Sequence, residues 1–229
     1  MNNIKNNLLS AVKTLALFIV IGFSIGKAQG VFITEIADPE NAATGGRFVE
    51  LYNNTDADVD LDGWALRRWT NANTDPQTDV VLQGTIPAGG FFIITNNAEE
   101  FEGTYGIAAN QDIGTGGPAD GNGDDDLALI NQGQIVDLYG EAGGVDNSGT
   151  PWEFEDGRAE RIATVTAGNP TGDHSEWNID NDSGGGDGPQ EAPGDFDPGS
   201  WVGEVDPPSP YAHAWKLNPA AGSMIVSSG

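Results

Sequence analysis

The sequence predicts an all-β protein, an immunoglobulin-like antiparallel β-sandwich followed by a loop-rich C-terminal segment of Gly, Asp and Pro. Three observations indicate this fold class. Short strand-like runs recur between turn residues, and helical character is confined to one short segment. Short strands without crossover helices pair antiparallel, and two packed sheets bury one face of each. The chain also lacks cysteine, so its stability has to come from a hydrophobic core.

The first 28 residues are a predicted secretory signal peptide. They contain three lysines and no acidic residue, and Leu15–Ile25 is an apolar run. This run is shorter than the roughly 20 residues that a membrane-spanning helix needs. Gly26 and Ala28 then occupy the −3 and −1 positions of a cleavage site. We therefore expect a secreted or cell-surface protein without a membrane span after cleavage. An uncleaved N-terminal anchor is the alternative.

The charge of the chain excludes several classes of partner. Acidic residues number 35 and basic residues 9, which gives a net charge of −26. Such a field repels the phosphates of nucleic acids and anionic membrane surfaces. Its natural counter-ions are metal cations and basic partners. The alternative is that the charge serves solubility alone.

Eight runs have the length and composition of strands. Each is rich in β-branched or aromatic residues and is bounded by Gly, Asn, Asp or Pro. In the second run, alternation places Val49 and Leu51 on one face and Phe48, Glu50 and Tyr52 on the other. The eight runs are Val31–Ile36, Arg47–Tyr52, Trp64–Trp69, Asp79–Leu82, Phe91–Thr95, Asp126–Ile130, Gln134–Gly140 and Glu160–Val165.

Two other local patterns are informative. The segment Asn96–Gly106 predicts one or two helical turns that begin after an Asn cap. Gln132 and Gly133 separate two strand-like runs and predict the turn of a hairpin.

The polar break at residues 56–62 contains four aspartates. Asp side chains accept hydrogen bonds from nearby backbone amides, so these residues are predicted to form turns rather than a reactive site. Val59 and Leu61 are expected to point inward between them. Gly63 is expected to adopt a positive φ before Trp64 enters the core.

The chain changes character after the last predicted strand. Asp180–Pro210 is dense in Gly, Pro and Asp, a composition that buries too little apolar surface to offset its ordering entropy. Trp177, Trp201 and Trp215 are spaced through this region, which indicates that parts of it pack back on the sandwich. The predicted organisation is thus a sandwich domain over residues 29–178 and a C-terminal segment over residues 179–229 that is partly ordered at most.

The predicted strands resemble those of the lamin tail domain, an immunoglobulin-like sandwich that also occurs in bacterial exported proteins. Residues 122–143 and 151–169 are similar to the second half of these domains as they occur beside secreted nucleases. The resemblance implies the fold and does not imply nuclear filaments, because the chain has a predicted signal peptide and lacks heptads. The matching elements of the first half are Ile33–Ile36, Glu50–Asn54, Val59–Trp64 and Ile86–Gly90.

Residues suited to catalysis are few, which predicts that the chain is not an enzyme. His174 and Glu176 are close in sequence, but a third ligand of the type that zinc requires is missing. Glu35 and Glu50 lie on early strands, and two such carboxylates could serve a glycosidase. Ion pairing with one of the arginines is the expected role of these glutamates.

A calcium site is the more specific hypothesis. Asp120, Asn122, Asp124 and Asp126 alternate along the chain, which is the oxygen-ligand spacing of a tight calcium loop. The intervening glycines permit the backbone to wrap around an ion. The loop lacks the central Gly and the terminal Glu of an EF-hand, so it is not predicted to be one.

A second acidic cluster contains Asp180, Asp182 and Asp187 in a looser arrangement. For both clusters, a solvated acidic loop without bound metal is the alternative. No cofactor is required by the sequence, and calcium is an optional stabiliser.

These observations predict a non-catalytic exported protein that acts in cell-surface or extracellular binding or scaffolding. Its partner would be an extracellular protein or surface, and nucleic acid is not an expected partner. The alternative is an accessory domain, or a fragment, of a secreted hydrolase such as an extracellular nuclease. Fold alone does not decide between them, because immunoglobulin-like sandwiches have many functions.

Overall fold

The computed structural model of the chain describes residues 30–181 and 188–204. The predicted signal peptide lies outside these residues. The described part contains twelve strands, one α-helix and two 3-10 helices. In chain order the elements are β1 (Val31–Ala37), β2 (Phe48–Asn53), β3 (Val59–Asp60), β4 (Trp64–Trp69), β5 (Val80–Val81), β6 (Thr85–Ile86), β7 (Phe91–Thr95), α1 (Ala98–Tyr105), β8 (Gln111–Asp112), a 3-10 helix (Pro118–Asp120), β9 (Asp126–Asn131), β10 (Gln134–Tyr139), β11 (Arg158–Arg161), a 3-10 helix (His174–Glu176) and β12 (Trp177–Asp180).

Two packed sheets confirm the predicted sandwich. The first sheet has the strand order β12-β11-β1-β2-β7-β8, and the second has the order β10-β9-β4-β5. Strands β3 and β6 form a separate two-stranded ribbon. Neighbouring strands pair antiparallel except β7 and β8, which are parallel. Sequence reasoning did not predict this parallel pair, which exists because α1 supplies the crossover between its two strands.

The main core lies between the inner faces of the two sheets. Val49 and Leu51 of β2 are completely buried in it, as the alternation in the sequence predicts. Leu66 of β4 and Leu129 of β9 reach the same core from the second sheet. The two sheets are therefore joined by apolar burial along their length, in a chain without disulfides.

The predicted turns form with the expected local chemistry. The Asn97 side chain caps α1 by accepting a hydrogen bond from the Glu100 amide, and Gly106 ends the helix in the left-handed conformation. Gln132 and Gly133 have φ angles of 49° and 76°, which form the hairpin turn between β9 and β10.

The aspartate-rich break also forms a turn as predicted. The Asp60 carboxylate accepts a hydrogen bond from the Asp62 amide at 3.0 Å. Leu61 between them is completely buried, and Gly63 has a φ of 81°. The acidic residues of this segment thus shape the backbone that brings Trp64 into the core.

The outer face of the first sheet is also covered. Phe48, Glu50 and Tyr52 lie on this face, as predicted, yet they are buried. Helix α1 covers one end, where Phe101 and Tyr105 pack edge-on against Phe48 with ring centroids 5.7 Å away. The first sheet therefore has a packed layer on both sides.

Residues 188–204, which we call the C-terminal strap, cover the rest of this outer face. Trp201 lies 5.4 Å from both Phe32 and Tyr52, measured between ring centroids. Its indole N–H donates a hydrogen bond to the Arg161 carbonyl at 2.6 Å. Because Trp201 is almost completely buried, the strap adds a second apolar contact layer to the sandwich.

A buried ion pair connects the two sheets. Asp137 of β10 and Arg161 of β11 are both completely buried and approach to 2.6 Å. The Asp137 carboxylate also accepts hydrogen bonds from the Ile33 and Asn169 amides, each at 2.8 Å. The Arg161 guanidinium lies 3.9 Å above the Trp177 ring. Asp137 thereby ties the second sheet to β1 and β11 of the first.

Loss of the Asp137 charge should destabilise the whole domain. In Asp137→Asn, the Arg161 guanidinium stays buried without its main counter-charge, which typically costs about 3–5 kcal/mol. We expect a correspondingly lower urea midpoint, measured by tryptophan fluorescence. The matched control is Asp79→Asn, which removes a partly exposed partner of Arg67 and should cost about 1 kcal/mol or less. Equal losses in the two variants would contradict the tie between the sheets.

Candidate functional site

Two of the predicted calcium ligands have other partners. Asp120 accepts hydrogen bonds from Gly116 N–H at 2.6 Å and from Asn96 at 2.7 Å, and it lies 3.3 Å from Arg47. Burial alone would raise the pKa of Asp120, but these donors outweigh it and lower the pKa. Asp120 is therefore held as a charged group that anchors the start of the loop.

Asp126 accepts hydrogen bonds within the fold through both of its carboxylate oxygens. It is completely buried at the start of β9. One carboxylate oxygen accepts hydrogen bonds from the Glu141 amide and the Asn147 side chain, each at 3.0 Å. The other accepts from the Gly143 amide at 2.7 Å. Asp126 thus organises the turn that follows β10.

Asn122 and Asp124 are brought into contact with each other by a side-chain hydrogen bond. Asp124 Oδ2 also accepts a hydrogen bond from Asn71 at 3.1 Å. Burial, and next the charge of Asp125, raise the pKa of Asp124. Asp125 itself was not a predicted ligand, and it is paired with Arg68 at 2.6 Å. Of the four predicted calcium ligands, Asp120 and Asp126 are therefore hydrogen-bonded to other groups, whereas Asn122 and Asp124 contact each other.

Within residues 30–181 and 188–204, no cluster of three or more His, Asp or Glu side chains has an arrangement that could hold a metal ion. Of the second acidic cluster, Asp180 lies at the end of β12, while Asp182 and Asp187 are outside the described residues. In the same described part, no helix combines the length and the apolar character needed to cross a membrane.

A row of glutamates crosses three adjacent strands on the outer face of the first sheet. Glu160 of β11 is the register partner of Glu35 of β1, which in turn is paired with Glu50 of β2. All three are buried. Arg158 is the nearest cation, and its guanidinium lies 3.6 Å from Glu35 and 3.1 Å from Asp197 of the strap. Glu35 is therefore ion-paired with an arginine, as the sequence analysis expected, whereas Glu50 forms no ion pair with the described arginines and that expectation was wrong for it.

Burial raises the pKa of each glutamate in this row. It raises the pKa of Glu50 to about 8, although hydrogen bonds from the Thr34 hydroxyl (2.7 Å) and the Gly199 amide (2.6 Å) oppose the shift. Burial, and then the charge of Glu50, raise the pKa of Glu35 well above its ordinary value. The strap covers both carboxyl groups. Glu35 and Glu50 therefore belong to the packed layer beneath the strap, where a substrate cannot reach their carboxyl groups.

The remaining polar candidates are also engaged within the structure. His174 Nε2 lies 2.7 Å from the Pro151 carbonyl, whereas Glu176 accepts hydrogen bonds from Arg161 and Asn169. His174 and Glu176 thus have different partners. Each of the five arginines in the described ranges forms an ion pair with a carboxylate; they are Arg47, Arg67, Arg68, Arg158 and Arg161.

An open cleft of about 800 Å³ lies along β12 at the edge of the first sheet. Its walls combine loop residues such as Thr150 and His174 with Arg158, Trp177 and Asn178 from the two edge strands. Asn178 is exposed, and β12 is the last strand of its sheet. Among the described residues, the outer side of β12 pairs with no further strand. This cleft has both polar and aromatic walls.

Sequence reasoning missed two parts of this region. Strand β12 was not predicted, because Trp177–Asp180 is short and lacks an alternating pattern. Asn147 was not singled out either, although it is completely buried beside the acidic loop. The backbone N–H of Asn147 donates a hydrogen bond to the backbone carbonyl of Asp124 at 3.1 Å. In the sequence, Asn147 is marked only by an Asp-Asn pair that is typical of a turn. The residue that it contacts, Asp124, is 23 positions earlier in the sequence.

Comparison with known proteins assigns the domain type. The family model of the lamin tail domain matches residues 26–143, a range that contains strands β1 to β10. Among curated proteins, none matches the chain. The matched family has an immunoglobulin-like fold, in agreement with the two packed sheets.

The raised pKa values of Glu50 and Glu35 predict that stability falls as pH rises. Burial raises the pKa of Glu50 to about 8 in the folded chain, from its ordinary value of 4.5. Between these values the folded chain retains a proton that the unfolded chain has released, so the free energy of unfolding decreases with pH. Glu35 acts in the same direction. Glu50→Gln, which mimics the protonated acid, should stabilise the protein at pH 9 by on the order of 5 kcal/mol.

The measurement is urea unfolding of both proteins at pH 4.5 and pH 9. The difference between the two variants should be small at pH 4.5 and large at pH 9, because the stability is lost between the two pKa values of Glu50. Glu102→Gln on the exposed face of α1 makes the same chemical change without burial and serves as the control. Parallel pH profiles for the wild type and Glu50→Gln would show that Glu50 is ionised when buried, against this prediction.

Proposed function

The chain belongs to the lamin tail domain family, and from this premise we propose that it is an exported, non-catalytic module for extracellular or cell-surface binding or scaffolding. It would represent the bacterial exported type of this family. Its partner would be an extracellular protein or surface, and its acidic charge disfavours nucleic acid. Calcium is an optional stabiliser in this proposal.

The observation that carries the proposal is the cleft beside β12. An edge strand with an unpaired outer side can accept an extended segment of another protein through backbone hydrogen bonds. The cleft adds side chains that could select such a segment, among them Trp177 and Arg158. Loops and edges supported by a rigid sandwich are the usual location of binding function.

The burial and hydrogen bonding of the acidic side chains support a non-catalytic role. A pair of carboxyl groups can act on a substrate only where the substrate can reach both of them. The strap covers Glu35 and Glu50. The carboxylates of Asp126 and Asp137 accept hydrogen bonds from backbone amides. An accessory role beside a secreted hydrolase is the alternative, in which the hydrolase would be the partner bound at the cleft.

Export predicts a defined N-terminus. When the chain is expressed in a secretion-competent bacterial host, the mature protein should leave the cytoplasm and begin at Gln29, as measured by intact mass and N-terminal sequencing. Ala28→Leu should block processing, because a small residue is required at the −1 position. Leu17→Ile preserves the apolar run and is the matched control. Retention of residues 1–28 in the wild type would instead indicate an uncleaved anchor.

Partner binding predicts sensitivity to a bulky residue in the cleft. Asn178→Trp should fill the cleft and reduce capture of the partner from extracellular and cell-surface fractions at least tenfold, as measured by quantitative mass spectrometry. Val81→Trp introduces the same side chain at an exposed position of β5, on the other sheet, and should leave capture unchanged. Equal capture by both variants would contradict binding at the cleft.

The same experiment separates the two functional alternatives. The purified chain should not hydrolyse nucleic acid or glycans in the presence of magnesium or calcium. A captured hydrolase that is lost with Asn178→Trp would favour the accessory role. Hydrolysis by the purified chain itself would overturn the non-catalytic proposal.

A further inference from the structure

Among the residues that the structure describes, two buried oxygen atoms beside the acidic loop have no hydrogen-bond donor. They are Asp124 Oδ1 and Asn147 Oδ1. An acceptor without a partner at a buried position loses the hydrogen bonds that water would give it, so it is uncommon in folded proteins. Here two acceptors occur on residues that are joined by a hydrogen bond from Asn147 N–H to the Asp124 carbonyl at 3.1 Å.

The orientation of the Asn147 amide is determined by its neighbours. Its Nδ2 donates to Asp126 Oδ1 at 3.0 Å, and the side chain is completely buried. The reverse orientation would place the amide oxygen against the Asp126 carboxylate, so that two acceptors would face each other. The amide oxygen therefore has to point away from Asp126 and lacks a donor there.

The surroundings of these atoms are negative. Asp125 is neutralised by Arg68 at 2.6 Å, whereas Asp124 has only amide partners, Asn71 and Asn122. The exposed Asp146 precedes Asn147 and adds a further negative charge. A carboxylate with an orphaned oxygen, an amide oxygen without a donor and a nearby acidic residue are together suited to a cation.

We propose that Asp124 and Asn147 supply the direct protein ligands of a low-affinity calcium site through their Oδ1 atoms. Calcium accepts carboxylate, amide carbonyl and water oxygens in irregular arrangements of six to eight ligands, while magnesium demands a regular octahedron. Zinc prefers nitrogen and sulfur. Water molecules complete the coordination in this proposal. Asp120 and Asp126 support the loop from outside the site, because their oxygens are already occupied.

This inference rests on the proposed export of the chain, because a site with so few charged ligands needs the calcium concentrations found outside cells. Extracellular calcium modules have dissociation constants of about 10⁻⁴ to 10⁻³ M. Calcium at about ten times the dissociation constant should raise the melting temperature by about 3–5 °C through preferential binding to the folded state.

The test uses the purified chain after treatment with EDTA. Calcium is titrated by isothermal calorimetry and by thermal unfolding, in parallel with magnesium and with sodium chloride at equal ionic strength. We expect saturable binding of calcium and a rise in melting temperature that magnesium and sodium chloride do not reproduce. An identical rise with sodium chloride would show charge screening alone and would overturn the site.

Variants identify the ligands. Asp124→Asn preserves the shape of the side chain and should weaken calcium binding at least tenfold. Asp56→Asn makes the same change in charge at an exposed turn and should bind calcium like the wild type. Asn147→Ala removes the second ligand without altering the charge and should also weaken binding, measured by calorimetry well below its melting temperature. Unchanged binding in both Asp124→Asn and Asn147→Ala would overturn the proposal.

The outcome for the metal is separate from the outcome for the proposed function. If calcium does not bind, while the partner is still captured by the wild type and lost with Asn178→Trp, the binding function stands and only the calcium site is overturned. If calcium binds and no partner is captured, the site stands and the binding function fails.

Discussion

The buried ion pair between Asp137 and Arg161 is the contact on which the rest of the sandwich depends. It is a charged link between the two sheets beside the apolar core. A buried pair of charges is expensive to desolvate, and it is tolerated only when further hydrogen bonds satisfy both partners. Here the Ile33 and Asn169 amides saturate the carboxylate, and the Ile33 carbonyl accepts from the guanidinium. These bonds fix β1, β10 and β11 relative to one another, and thereby fix the register of the edge strand β12.

The acidic composition has a different physical meaning in each part of the molecule. Aspartates at turns accept backbone hydrogen bonds, as Asp60 and Asp126 do. The glutamates below the strap are packed at raised pKa, so they contribute less negative charge than the composition suggests. Glu35 and Asp124 each have a buried oxygen without a hydrogen-bond donor among the described residues. Glu35 lies 3.6 Å from the Arg158 guanidinium, whereas no arginine of the described part forms an ion pair with Asp124. A count of acidic residues therefore overstates the free charge and does not distinguish Asp124 from the turn aspartates.

Much of the fold could be predicted from the sequence, because alternation, turn residues and caps are local signals. The faces of β2, the hairpin turn at Gln132 and Gly133, and the aspartate-rich turn all depend on residues within a few positions of each other. The candidate site could be predicted only in part. The pattern at residues 120–126 singles out Asp124 as a candidate ligand. It does not show that Asp126 accepts hydrogen bonds from residues 141–147, or that Asn147 lies against the loop. These are long-range contacts, and they arise from packing that alternation does not encode.

The strap changes how the family resemblance should be interpreted. The family model ends at residue 143, whereas β11, β12 and the strap all follow it. The later residues supply Arg161 to the core, Trp201 to the outer face and the residues that line the cleft. The matched region therefore accounts for strands β1 to β10, and the residues beyond it complete the first sheet and form the cleft. Because the strap closes the outer face over Glu35 and Glu50, the proposed binding function rests on the cleft beside β12 and the proposed calcium site on the loop beside Asn147.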